Sequence, residues 1–189
     1  MTIASRWTIT TLGLAALTLC TTTASLAQEE TQTITAQGVT FEIPKDWKQS
    51  RPASTMRAAQ IEIGPAEGDE EAAELVLFVF PGGAGTVQAN VDRWQQQFVG
   101  EDGKPPKIET SKGQGKNVEA TAVETAGRYV AAVQPGLPQQ FDKSNYRLLG
   151  GIVTTPQAGY FFKLVGPDKT VNEARPAFEA MLKSMELQK

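Results

Sequence analysis

The sequence predicts an α+β fold: a single-domain α/β/α sandwich in which an antiparallel sheet of about six or seven strands carries helices on both faces. Three observations carry that prediction. Leu75-Val76-Leu77-Phe78-Val79-Phe80 is apolar without a break, as a strand covered on both sides must be. Two other stretches, after Thr86 and through Val171, repeat apolar residues at helical spacing. The remaining segments read as strands separated by short turn signals, which join antiparallel neighbours. At 189 residues the chain has room for one domain.

The N-terminus comes first. Arg6, the apolar run Leu12 to Leu19 and Ser25-Leu26-Ala27 form the three-part layout of a secretory signal cleaved after Ala27. The run is short of the roughly 20 apolar residues of a permanent span. A lipoprotein signal needs a small residue before its cysteine, and Leu19 precedes Cys20, so lipidation is not expected. The product is expected to be exported, periplasmic or secreted, with no integral membrane segment. Residues 28 to 32 read as a disordered tail, and the folded domain as residues 33 to 187.

Strand signals begin at Ile34 to Ala36, turn at Gln37-Gly38 and continue through Val39 to Ile43, where apolar and polar residues alternate until Pro44. Lys45 to Trp47 turns the chain and Ser50 to Thr55 reads as a loop. Alternation resumes over Arg57 to Ile63, followed by the unbroken Leu75 to Phe80 run. Pro81-Gly82-Gly83-Ala84-Gly85 ends that strand, and Thr86 is placed to cap a helix with Val87, Val91, Trp94 and Phe98 on one stripe. Gly100 to Pro106 closes the helix. Lys107 to Lys112 and Val118 to Glu124 read as a hairpin, extended by a strand at Arg128 to Val133. A loop spans 134 to 145. Strands follow at Tyr146 to Thr155 and Gly159 to Val165, then a helix with Val171, Ala174, Phe178, Leu182 and Met185 inward, in which Pro176 marks a kink or a second start.

Composition excludes much chemistry. The chain has no histidine and one cysteine, Cys20, which lies inside the expected signal and would leave with it. Ser-His-Asp and Cys-His nucleophiles, Cys/His zinc sites, iron–sulfur clusters and disulfides are therefore outside its means. No cofactor is expected. The net charge of −3, without a Lys/Arg stripe, argues against nucleic acid as a partner. A domain of this length buries about 70% of its unfolded surface, enough for a core without staples, and a monomer is expected.

Four groups of residues are weighed as candidates for a site. Asn90, Arg93, Trp94 and Gln97 share one helical face and make a recognition patch, or the margin between core and solvent. Arg57 is positioned to pair with a helix carboxylate or to stand at a strand edge. Gly83, Gly85 and Thr86 before a helix are placed to offer N–H groups to an anion, although the segment lacks the Lys-Ser/Thr of a P-loop and reads better as a tight turn. Glu67, Asp69, Glu70, Glu71 and Glu74 could collect a hard cation, but their spacing does not fit an EF-hand, and a solvated acidic loop is the better reading. No metal ligand set and no catalytic residue is assigned. Tyr129, Tyr146 and Tyr160 read as core or rim aromatics.

Val39-Thr40-Phe41-Glu42-Ile43-Pro44-Lys45-Asp46-Trp47, the closing Tyr160 to Pro167 strand with the helix ending at Ser184-Met185, and Asn90 to Phe98 together resemble the PsbP-like family, whose fold the Ran-binding Mog proteins share. The segments are similar to a small exported bacterial branch of it, of uncharacterised function. The resemblance covers nearly the whole domain and implies a binding or assembly factor rather than an enzyme. No motif carries over the photosystem members' ions or the Mog proteins' Ran surface. The expected function is thus an exported, non-catalytic binding module for an unknown envelope protein or small ligand, using the patch at 90 to 97 and the loop at 134 to 145. A carboxylate-dependent hydrolase and a carrier of a small apolar ligand are the alternatives.

Overall fold

The computed structural model describes residues 30–133 and 138–188. The expected signal with Cys20, and residues 134–137 of the long loop, lie outside the described residues. Eleven strands and two helices follow in the order β1 (Thr31–Ala36), β2 (Val39–Pro44), β3 (Lys48–Ser50), β4 (Arg57–Ile63), β5 (Ala73–Pro81), α1 (Val87–Gln95), β6 (Phe98–Val99), β7 (Glu109–Gln114), β8 (Glu119–Tyr129), β9 (Lys143–Thr154), β10 (Ala158–Pro167), α2 (Asp168–Ser184) and β11 (Glu186–Leu187). The main sheet has eight strands in the order β3-β4-β5-β10-β9-β8-β6, with β7 also paired to β8, and a smaller sheet of three strands runs β1-β2-β11. Every pairing is antiparallel. The α+β class is as the sequence predicts. The opening hairpin leaves the main sheet, however, and pairs with the chain's C-terminal end.

The two helices cover opposite faces of the main sheet, and two successive glycines show why. On β9, a side chain at Gly150 would collide with the indole of Trp94 from α1, and one at Gly151 would stand 2.6 Å from Leu182 Cδ2 of α2. Successive residues of a strand point to opposite faces, so each glycine makes room for a helix residue on its own side. On the α2 side Phe41, Leu75, Leu77, Phe162, Leu164 and Phe178 are all 0–3% exposed, and the three-stranded sheet closes this layer. Phe41 meets Phe162 edge-on at 5.2 Å. On the α1 side Val91, Trp94, Phe98, Leu148, Ile152 and Phe161 form a second, smaller core.

Several elements differ from expectation for identifiable reasons. Thr31 and Gln32 belong to β1 rather than to the tail, because Gln32 Nε2 donates to the Trp47 carbonyl at 2.8 Å and fastens this end to the next turn. Thr86 caps α1 as expected, accepting from Ala89 N at 3.1 Å, but the helix stops at Gln95. Phe98, on the same helical stripe, is instead the first residue of β6 and pairs with Tyr129. Of the strand expected over 128 to 133, only Arg128 and Tyr129 are strand, as the end of β8 beyond an irregularity after Gly127, and Ala132 makes only an isolated bridge to Gln140. At Gly127 the Val99 carbonyl lies 2.7 Å from where a Cβ would be, and φ is 153°. α2 is one helix with Pro176 inside it.

Candidate functional site

The acidic run is dispersed by the fold. Asp69 Oδ2 accepts from the backbone N and the hydroxyl of Thr170, at 2.9 and 2.6 Å, and so caps the start of α2 from a distant loop. Glu71 takes Lys143 at 2.5 Å and the Tyr146 hydroxyl at 2.6 Å, and both bonds hold its carboxyl below the usual range. Glu74 pairs with Arg57 at 2.9 Å. Of its two expected roles, pairing with a helix carboxylate or standing at a strand edge, Arg57 takes neither in full, and its partner is a carboxylate on the neighbouring strand β5. Three carboxylates are committed to three separate partners, and they do not converge on one point.

The predicted patch on α1 divides in two. Asn90 is 1% exposed, and its Nδ2 donates to the carbonyls of Ala84 and Thr86 at 2.9 and 2.8 Å, tying the glycine turn to the helix. Trp94 is 4% exposed and fills the space above Gly150. These two are committed to the fold. Arg93 stays exposed, with its guanidinium on Asn90 Oδ1, and Gln97 is half-buried at the helix exit. Within the glycine turn, Gly82 N donates to the Gln157 carbonyl and Gly83 N to the Phe80 carbonyl at 2.8 and 3.0 Å, while Gly85 stands at φ 80°. The Thr86 hydroxyl is occupied by its capping bond.

Gln97 reaches a residue that the sequence reading passed over. Its Oε1 accepts from Lys163 Nζ at 2.5 Å, and the same ammonium lies 3.2 Å from the Tyr129 hydroxyl. Lys163 sits on β10, facing α1, directly between Val76 on β5 and Gly150 on β9. Burial pulls its pKa down to about 7; Glu74 opposes that shift, and Arg57 and Arg93 add to it. Burial likewise pushes the Tyr129 hydroxyl up to about 12, so it stays protonated. Tyr129 in turn stacks on Phe141 at 5.5 Å and on Tyr146 at 6.0 Å. A continuous line, Gln97 to Lys163 to Tyr129 to Phe141, thus joins the helical patch to the end of the long loop. The signal in the sequence was the cation itself, set in the otherwise apolar run from Tyr160 to Val165.

Among solved structures, the solution structure of cyanobacterial PsbP (CyanoP) from Synechocystis sp. PCC 6803 matches with a TM-score of 0.51 and 12% identity, over 86% of this chain and 95% of that one. The fold is PsbP-like. No family model and no curated protein matches the chain.

On this PsbP-like framework an open cleft of about 750 Å³ lies between the 100–106 loop and the start of α2. Its acids include Asp69 and Asp168, and both are taken: the first by Thr170, the second by Arg147 at 2.8 Å. Arg147 also meets Glu124, which accepts from Arg175 Nη1 at 2.6 Å, so that α2 is clamped to β8 and β9. The Arg175 bond, ahead of the charges of Arg175 and Arg147, holds the Glu124 carboxyl below its usual range against the opposing effect of burial. The clamp is a structural device. The Lys163 face is where cations stand beside accessible apolar surface, and it is the stronger candidate site. Among the described residues no helix is long and apolar enough to cross a membrane.

Proposed function

We propose that this chain is an exported, non-catalytic binding or assembly module of the small bacterial PsbP-like type, and that it meets its partner with the face of the main sheet flanked by α1. The observation that carries the reading is the line from Gln97 through Lys163 and Tyr129 to Phe141. It draws the helical patch and the loop, more than 40 positions apart in the chain, into one surface. Arg93 and Phe141 are exposed on it and Arg57 is half-buried. The N-terminal signal layout supports export, and the PsbP-like fold supports a binding role. The commitment of Asp69, Glu71, Glu74 and Glu124 to structural partners speaks against a paired-carboxylate hydrolase, which needs two acids about 5 to 10 Å apart and open to substrate.

The test is affinity capture from the envelope fraction of the source organism with the mature chain, in parallel with Arg93→Ala. A partner enriched by the wild type and depleted by the variant is expected. Equal recovery by both removes the α1 face from consideration.

A further inference from the structure

The Lys163 ammonium has three donors, and the two acceptors it meets, Gln97 Oε1 and the Tyr129 hydroxyl, are uncharged. Among the described residues no carboxylate pairs with it; the acid whose charge it senses most, Glu74, is bonded to Arg57. Of the charged side chains whose charge acts on Lys163, two are cations, Arg57 and Arg93, and the one carboxylate, Glu74, is already bonded to Arg57, on a chain whose net charge is −3. A half-buried cation without an anion is costly, and an incoming anion that supplies the missing partner gains what the protein alone forgoes.

The surroundings define the rest of the ligand. Phe78 lies opposite both Arg57 on β4 and Phe161 on β10, which makes it the diagonal neighbour of Lys163. Its ring stacks with that of Phe80 at 6.5 Å, with the planes 10° apart, and both residues are only half-buried. This gives an apolar shelf beside a cationic corner. Resting on the binding reading above, we propose that Lys163, Arg57 and Arg93 hold the carboxylate of a small amphiphile whose apolar body lies on Phe78 and Phe80.

The charged and titratable groups facing Lys163 are Glu74 from β5, Arg57 from β4, Arg93 from α1 and Tyr129 from β8. Since the free ammonium titrates near 7, a carboxylate bound at a pH of about 8 draws a proton onto Lys163.

Calorimetric titration of the mature chain with octanoate, octan-1-ol and acetate, at about pH 8 in two buffers of different ionisation enthalpy, tests this. Octanoate is expected to bind at least about tenfold more tightly than either of the others, with proton uptake. Lys163→Met is expected to abolish both the preference and the uptake, and its thermal midpoint reports whether it folds. Arg93→Gln, at an exposed position, is expected to weaken octanoate about threefold and serves if the first variant does not fold. Equal affinity for octanoate and octanol, no proton uptake, no octanoate binding at all, or an Arg93→Gln variant that binds as the wild type does would each overturn the proposal. A partner captured through Arg93 would still leave the binding module standing in that event, whereas octanoate binding without such a partner would leave only the ligand site.

Discussion

The indole of Trp94 occupies the space that a side chain at Gly150 would fill. This contact seats α1 on the main sheet, and through the next turn of chain it sets where Gln97 meets Lys163. Gly150→Ala is therefore expected to displace the indole and to destabilise the fold by about 1–3 kcal/mol, the usual cost of an added methyl in a packed site. Thermal unfolding followed by tryptophan fluorescence measures both effects. A variant with wild-type midpoint and emission would show that α1 is seated by other contacts.

Leu77 is fully buried in β5, the strand that the sequence marks most clearly. Leu77→Asp places an unpaired charge in the α2-side core and is expected to abolish cooperative unfolding, at a cost beyond about 4 kcal/mol. Circular dichroism and urea titration read the outcome. A cooperative transition near the wild-type midpoint would refute the central position of this strand.

Glu124 is held by Arg175 and Arg147, and its folded-state pKa lies below the ordinary value of 4.5. A depressed carboxylate binds fewer protons folded than unfolded, so its contribution is complete above 4.5 and fades as pH falls through the folded value. Glu124→Gln is expected to lower the urea midpoint at neutral pH and to converge with the wild type in acid. A gap that stays constant down to about pH 2 would contradict the clamp.

Lys163 gives a slope of the same sign in a higher pH interval, although its burial costs stability where the Glu124 clamp contributes it. Its pKa falls from 10.5 to about 7 on folding, so between those values the unfolded chain binds more protons and the wild type gains stability as pH rises. Lys163→Met lacks this term, and its urea midpoint is expected to be flatter over the same interval. Parallel curves for the two proteins would show that the ammonium is not desolvated.

How much of this was legible in the sequence varies with the physics of each element. The β5 run and the stripes of α1 and α2 are long periodic signals, and they give the class and both helices. Strands β3, β6 and β11 span two or three residues each and have no period to read. Their existence depends on partners far along the chain, as when β11 pairs with β2. Phe98 matched the helical stripe, yet the chain leaves the helix before it, because pairing with Tyr129 satisfies its backbone. At the site, Arg93, Gln97 and Arg57 were visible as polar residues beside an apolar helix and strand. Lys163 was hidden by the reading of its strand as plain core, and only the register, which sets it between Val76 and Gly150 under Gln97, shows that it faces the patch.

The most direct test of the α1 face as the binding surface is site-specific photo-cross-linking in the envelope fraction. A photoreactive residue replaces Arg93 on α1 in one chain and the exposed Ala180 on α2, across the sheet, in another. A discrete adduct at position 93, absent at 180, is the expected result; adducts of equal yield at both positions, or at 180 alone, would contradict it.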